Sequence, residues 1–298
     1  MENFVLIALA ISVGYLFSRS GIFPEGSAAI LNKFVIFISL PAMILLQIPK
    51  LSFSTEFVIP IIVAWSVTIV TAMMTLTVSK LLHFTKEVTG ALLLVAVLTN
   101  SSFLGIPLIH AYLGAEALPY ILVYDQMGTF LALSTYGIFV AAYYSDQSEI
   151  GLKTMAVKAL TFPPFIALLI ALFFVNTAFP AVISNVLSAL ADTIVPVALV
   201  AVGLQLQFRL PGHEIVPFGI ALVIKLIMAP LIALAVVSLA GWTGLAAGVS
   251  VMEAGMAPMV TAGAMASLYG LAPRLTSAIV GYGILISFFT TAVLFTLL

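Results

Sequence analysis

Apolar residues fill this chain in long runs, and polar residues are mostly confined to the short gaps between them. The runs fall at about 3 to 18, 27 to 48, 57 to 80, 88 to 113 and 117 to 143, then at about 156 to 178, 182 to 205, 215 to 239, 244 to 270 and 274 to 297. Each is near the roughly 20 residues that a helix needs to cross a bilayer. The pattern predicts an all-α polytopic membrane protein of ten transmembrane helices. Five precede and five follow a polar hinge, YSDQSEIGLK at 144 to 153. Ten spans put both termini on the same side of the membrane.

Two of the runs are interrupted at their centres. The fourth, VTGALLLVAVLTNSSFLGIPLIHAYLG at 88 to 114, sets Asn100, Ser101 and Ser102 beside Gly105 and Pro107. Proline has no amide hydrogen and clashes with the carbonyl four residues back, and glycine removes the side-chain barrier to non-helical backbone. The helix is therefore expected to break near Gly105 and Pro107. The ninth run, GLAAGVSVMEAGMAPMVTAGAMASLYG at 244 to 270, repeats the arrangement with Glu253, Gly255 and Pro258 where the fourth has Ser102, Leu104 and Pro107. Irregular backbone inside hydrocarbon is tolerated only where it faces protein or a watery cavity. Broken helices at matching places in two halves point to the binding site of a secondary transporter.

Composition supports the membrane reading. The chain is 63% hydrophobic and 7% charged, with a mean hydropathy of +1.28, so its natural surroundings are a lipid bilayer. A formal charge of −1 gives no basic footprint, which excludes nucleic acid as a partner. The absence of cysteine excludes disulfides, thiolate metal sites and cysteine nucleophiles. The first residues carry an acid and no basic stretch or small-residue cleavage site, and read as a retained first span. Arg19, Lys80, Lys86, Lys153, Lys158, Arg209 and Arg274 lie in or beside the odd-numbered loops, against Lys50 alone in the even ones. Cytoplasmic loops retain Lys and Arg, so both termini are expected outside and the hinge in the cytoplasm.

A duplicated unit of five helices inserts upside down relative to its twin. Phe23 to Leu46 and Phe179 to Ala201 resemble one another, with Pro24 matching Pro180 and Pro41 matching Pro196. Pro107 with Pro258 and Pro119 with Pro273 continue the order, and the chain reads as a 5+5 inverted repeat whose fourth and ninth helices are broken and cross.

Ionisable groups within spans are costly and mark function. Lys225 is about ten residues from either end of the eighth span, too deep to snorkel at about 1.5 Å per residue. It is expected to be an anion counter-charge or a member of a structural ion pair. Asp125 and Asp192 lie well inside the fifth and seventh spans, and either would neutralise Lys225 or join ion coupling. Between Gly244 and Gly270 there is no Lys, Arg or His, so Glu253 must be balanced by a proton, a bound sodium ion or distant Lys225. It is the expected coupling residue. Asn100, Ser101 and Ser102 either contact a ligand or bond carbonyls freed by the kink. With Gly105, Pro107, Lys225, Gly255 and Pro258 they form the expected substrate-binding set. No cofactor or metal is called for, beyond Na+ or H+ as a coupling ion, with Na+ placed near Glu253. An enzyme would need a recognisable constellation. HEIVP at 213 to 217 lacks the second histidine of a zinc-protease helix, and no paired-Asp magnesium motif is present.

NSSFLGIPLIHAYLG at 100 to 114, PVALVAVGLQL at 196 to 206 and MAPMVTAGAMASLYG at 256 to 270 resemble the recurrent signatures of the auxin efflux carrier family. That family also contains plant PIN carriers and malate and malonate permeases. The resemblance covers essentially the whole chain and implies a scaffold of helices 1 and 2 (1–55) and 6 and 7 (156–212). It further implies a mobile transport domain of helices 3 to 5 (56–145) and 8 to 10 (213–298), a hinge at 146–155, and a homodimer through the scaffold. By it, the function is secondary active transport of a small organic anion, auxin-like or a di- or hydroxycarboxylate, across the plasma (inner) membrane by alternating access. SVMEAGM at 250 to 256 also resembles the sodium-site helix of bile-acid:sodium symporters. Ala257 and Pro258 stand where those symporters carry Gln and Asn, against a full two-sodium site. A sodium-coupled transporter of that kind is the alternative, and a channel or sensor of the same fold is a further one.

Overall fold

The computed structural model describes residues 2–24, 26–50, 55–145, 160–161, 163–175, 177, 179–206 and 214–298. In chain order its helices are α1 (Glu2–Ser20), α2 (Ser27–Gln47), α3 (Thr55–Leu81), α4 (Lys86–Val95), α5 (Ser101–Leu113), α6 (Ala115–Tyr144), α7 (Pro163–Phe173), α8 (Ala181–Leu204), α9 (Ile215–Leu239), α10 (Leu245–Ala254), α11 (Val260–Leu268) and α12 (Pro273–Leu297). Six helices among the described residues, α2, α3, α6, α8, α9 and α12, are long and apolar enough to cross a membrane. Shorter apolar helices accompany them in α1, α5, α7 and α10. The protein is therefore an all-helical, multi-pass membrane protein. The expected hinge at 146–155 lies outside the described residues, as do Lys153, Lys158 and Arg209.

Proline reshapes several of these helices without ending them. Wide π-helical turns at Val35–Ser39, Ser101–Gly105 and Ile224–Met228 each stop two residues before a proline, Pro41, Pro107 and Pro230. The carbonyl each ring would strike belongs to the residue four positions back, Phe37, Phe103 or Leu226, and so lies inside the wide turn. Opening the turn moves that carbonyl aside while the chain continues as helix.

Packing divides the helices by neighbour. Helix α1 runs along α8, and α2 lies against α7 and α8. Helix α3 packs on α6, α9 and α10, while α4 packs on α6, α11 and α12. The two groups meet where α1 and α8 touch α5. At the α1–α8 crossing Gly14 and Gly203 face each other, and a Cβ on either would run into the opposite backbone, at Val200 O or Ile11 O. Glycine at both positions is what lets the backbones come this close. Large apolar side chains such as Phe173 and Leu239 point outward, a surface suited to hydrocarbon.

Candidate functional site

The centre of the molecule is a crossing of two interrupted helices. Helix α4 stops at Val95 and α5 begins at Ser101, while α10 stops at Ala254 and α11 begins at Val260. The two linking segments run antiparallel, with Thr99 opposite Pro258. The amide of Asn100 donates to Ala257 O at 2.9 Å, and that of Met259 donates to Leu98 O at 3.0 Å. Residues 96–100 and 255–259 are buried throughout. Each segment thus satisfies backbone groups that the other exposes by leaving the helix, as buried amides and carbonyls require.

This geometry corrects two expectations. The first break lies at 96–100, upstream of Gly105 and Pro107, which belong to the wide turn and first α-helical turn of α5. The partner of Pro258 across the crossing is Thr99, so matching Pro258 to Pro107 puts the two segments out of register. The physical reason is an asymmetry between them. Gly255 and Pro258 break their own helix. The segment from Ala96 to Asn100 holds no glycine or proline, and it leaves the helix where Leu98 and Asn100 hydrogen-bond across to Met259 and Ala257.

A buried carboxylate ties α5 to α6. Asp125 accepts hydrogen bonds from Ser101 Oγ and Ser102 Oγ, both at 2.5 Å, and from Gln126 Nε2 at 2.6 Å. Three donors offset much of the cost of burying an anion. The two serines therefore spend their hydroxyls on Asp125. Among the described residues Asn100 Nδ2 and Gln126 Oε1 have no hydrogen-bond partner, and both side chains are buried.

On the other side of the crossing lie a fully buried lysine and a fully buried glutamate. Lys225, in the wide turn of α9, donates from Nζ to Thr99 Oγ1 at 2.5 Å and to Ala254 O at 3.2 Å. Glu253 is the penultimate residue of α10, one before that carbonyl, and among the described residues neither of its carboxylate oxygens has a hydrogen-bond partner. The carboxylate lies against the backbone of Gly105, where an added Cβ would stand 2.7 Å from Oε2 and 2.8 Å from Oε1. Lys225 and Asp125 are the charged groups whose fields reach Glu253, and the buried Tyr124 ring lies beside it and Thr99.

The expected residues thus separate. Asn100, Ser101, Ser102, Gly105, Asp125, Lys225, Glu253, Gly255 and Pro258 gather at the crossing, with Pro107 a turn further along α5. Asp192 does not join them. It is exposed at the turn that divides α8, and the carboxylate whose field reaches Lys225 is that of Glu253. The next residue, Thr193, shares a 2.6 Å hydrogen bond with Ser39 of α2.

A cavity of about 680 Å³ opens between the α1–α2 turn and helices α11 and α12, lined by Ser18 and Ser27 near that turn, Leu204 of α8, Val260 and Ser267 of α11 and Ser277 of α12. It reaches the first residue of α11, directly after the unwound segment. Sequence reasoning missed this cavity, and it also missed Thr99, Gln126 and Gly283. Gly283 makes room for the Pro258 ring, whose Cδ would be 2.5 Å from an added Cβ. Thr99 and Gln126 each stand one residue from a named candidate, and position beside a polar residue was their only signal.

A multi-pass helical protein whose buried polar centre is a crossing of interrupted helices falls in the class of membrane transporters. The model of the membrane transport protein family matches residues 1–295, and the chain belongs to that family, the auxin efflux carrier family that its motifs resemble. It is 26% identical over 273 residues to an uncharacterised transporter of Methanothermobacter thermautotrophicus, covering 89% of this chain and 87% of the relative. It is 27% identical over 287 residues to an uncharacterised transporter of Methanocaldococcus jannaschii, covering 93% and 92%.

Proposed function

We propose that the protein is a secondary transporter that carries a small organic anion, auxin-like or a di- or hydroxycarboxylate, across the plasma (inner) membrane by alternating access. The observation that carries this reading is the antiparallel crossing of residues 96–100 with 255–259. It gathers buried polar side chains where two interrupted helices meet, and a cavity reaches Val260 directly after one of the interruptions. Ten spans in a 5+5 inverted repeat, with both termini outside, are the matching topology, and the interruption in each half supports it. Helices α1, α2, α7 and α8 are the scaffold in this reading, through which a homodimer forms. Helices α3 to α6 and α9 to α12 move against them, and their packing preference for their own group supports the division.

Asn100 Nδ2 is a buried donor with no partner among the described residues, and amides at the start of α5 and α11 favour negative charge. These features support an anionic substrate, with Gly105, Pro107, Gly255 and Pro258 shaping the backbone around it. Glu253 is the coupling residue, because an anion approaching this centre meets a buried carboxylate that none of the described residues hydrogen-bonds. Substrate entry therefore depends on how that charge is balanced. Transport, and not chemistry on the substrate, is what the site does in this account. The test is exchange in proteoliposomes loaded with candidate carboxylates. Uptake accelerated by internal substrate supports a carrier. Flux indifferent to internal substrate describes a channel.

A further inference from the structure

In an unbroken helix the carbonyl of Ala254 would accept the amide hydrogen of the residue four positions on. That residue is Pro258, which has none. Lys225 fills the deficit, since its Nζ donates to Ala254 O at 3.2 Å and to Thr99 Oγ1 at 2.5 Å. Thr99 is the residue facing Pro258 across the bridge. One ammonium therefore holds an oxygen from each interrupted segment. It is 0% exposed and does not line the cavity. The residue before Ala254 is Glu253, a fully buried carboxylate at the same helix end.

A backbone carbonyl freed by a helix break, a hydroxyl and a nearby carboxylate are the hard oxygen groups that alkali and alkaline-earth cations select. Here the positive charge arrives on a side chain. Its four-carbon stem reaches the crossing from α9, and its hydrogen bonds join Thr99 of one unwound segment to Ala254, the last residue of α10 before the other.

We propose that Lys225 is a built-in cation standing where a coupling sodium ion would otherwise sit. The protein therefore works without sodium, and removing the ammonium exposes a latent sodium site formed by Glu253, Ala254 O and Thr99 Oγ1. The inference narrows the coupling ion of the proposed transporter. It is read on stability alone, so it can fail while the transport reading stands, and the reverse.

The experiment is thermal unfolding of the purified full chain in detergent, in sodium, potassium or choline chloride at one ionic strength. The unaltered protein should melt at the same temperature in all three. Lys225→Ala should melt several degrees lower in choline, and sodium chloride should restore part of that loss saturably, because a ligand that binds only the folded state raises its stability. Lys225→Met, which fills the space without charge, should lose stability in every salt and regain none. Adding Glu253→Gln to Lys225→Ala should abolish the sodium response. Saturable stabilisation of the unaltered protein by sodium would overturn the proposal, as would a folded Lys225→Ala that responds alike to sodium and choline. Should Lys225→Ala not fold, the titration of the unaltered protein decides alone, with indifference to sodium supporting the proposal and saturable stabilisation refuting it.

Discussion

The carboxylate of Glu253 lies directly against the backbone of Gly105, so close that a methyl group there would stand 2.7 Å from Oε2. The glycine makes room for the acid. Gly105→Ala is expected to push the carboxylate out of place and cost about 1–3 kcal/mol, the usual range for overpacking. Combining it with Glu253→Ala removes the group it strikes, and the pair should cost less than the sum of the single changes. Thermal unfolding of the four proteins gives the coupling energy, and strict additivity would show that the contact is not made.

Glu253→Gln keeps the shape of the side chain and removes its charge. The variant should fold and exchange substrate, yet lose uptake driven by an ion gradient. Uptake with the pH, sodium and gradient dependence of the unaltered protein would assign Glu253 a structural role instead.

Asp125 is held by three donors, and Asp125→Ala strands Ser101, Ser102 and Gln126 together. At about 1–3 kcal/mol for each buried polar group left unpaired, this should destabilise more than Ser101→Ala or Ser102→Ala, each of which leaves Asp125 two donors. Melting temperatures of the three variants should fall in that order. An Asp125→Ala protein as stable as the serine variants would mean that the carboxylate does not anchor α5 to α6.

The chain has no cysteine, so single introduced thiols report sidedness cleanly. Glu116, in the first turn of α6, and His83, between α3 and α4, are both exposed. A membrane-impermeant maleimide added to intact cells should label Glu116→Cys and leave His83→Cys unlabelled until the cells are opened. The reverse pattern would invert the proposed topology.

Much of this architecture was legible in the sequence because bilayer length and hydropathy are coarse, local signals. The break at Gly255 and Pro258 was equally legible, since those residues disrupt their own helix. The break at 96–100 was not. Ala96, Val97 and Leu98 carry no instruction to unwind, and the hydrogen bonds that divert the chain, at Leu98 and Asn100, come from Met259 and Ala257, far along the chain. The same distance hid the role of the serines, whose partner Asp125 lies on another helix. Gly105 read as a loosened backbone and proved to be space for Glu253. Asp192 and Asp125 read alike as buried acids because hydropathy reports depth along a helix and not which face a residue occupies.

Counterflow in proteoliposomes tests the account most directly. Vesicles loaded with an unlabelled carboxylate that the protein transports are diluted into a trace of the same labelled anion, with no ion gradient. Alternating access predicts transient accumulation of label above its external concentration, because each outward step of the loaded site returns it ready for the next anion. Label that only approaches its external concentration, at a rate independent of the internal anion, would contradict the carrier reading and make the crossing part of a pore.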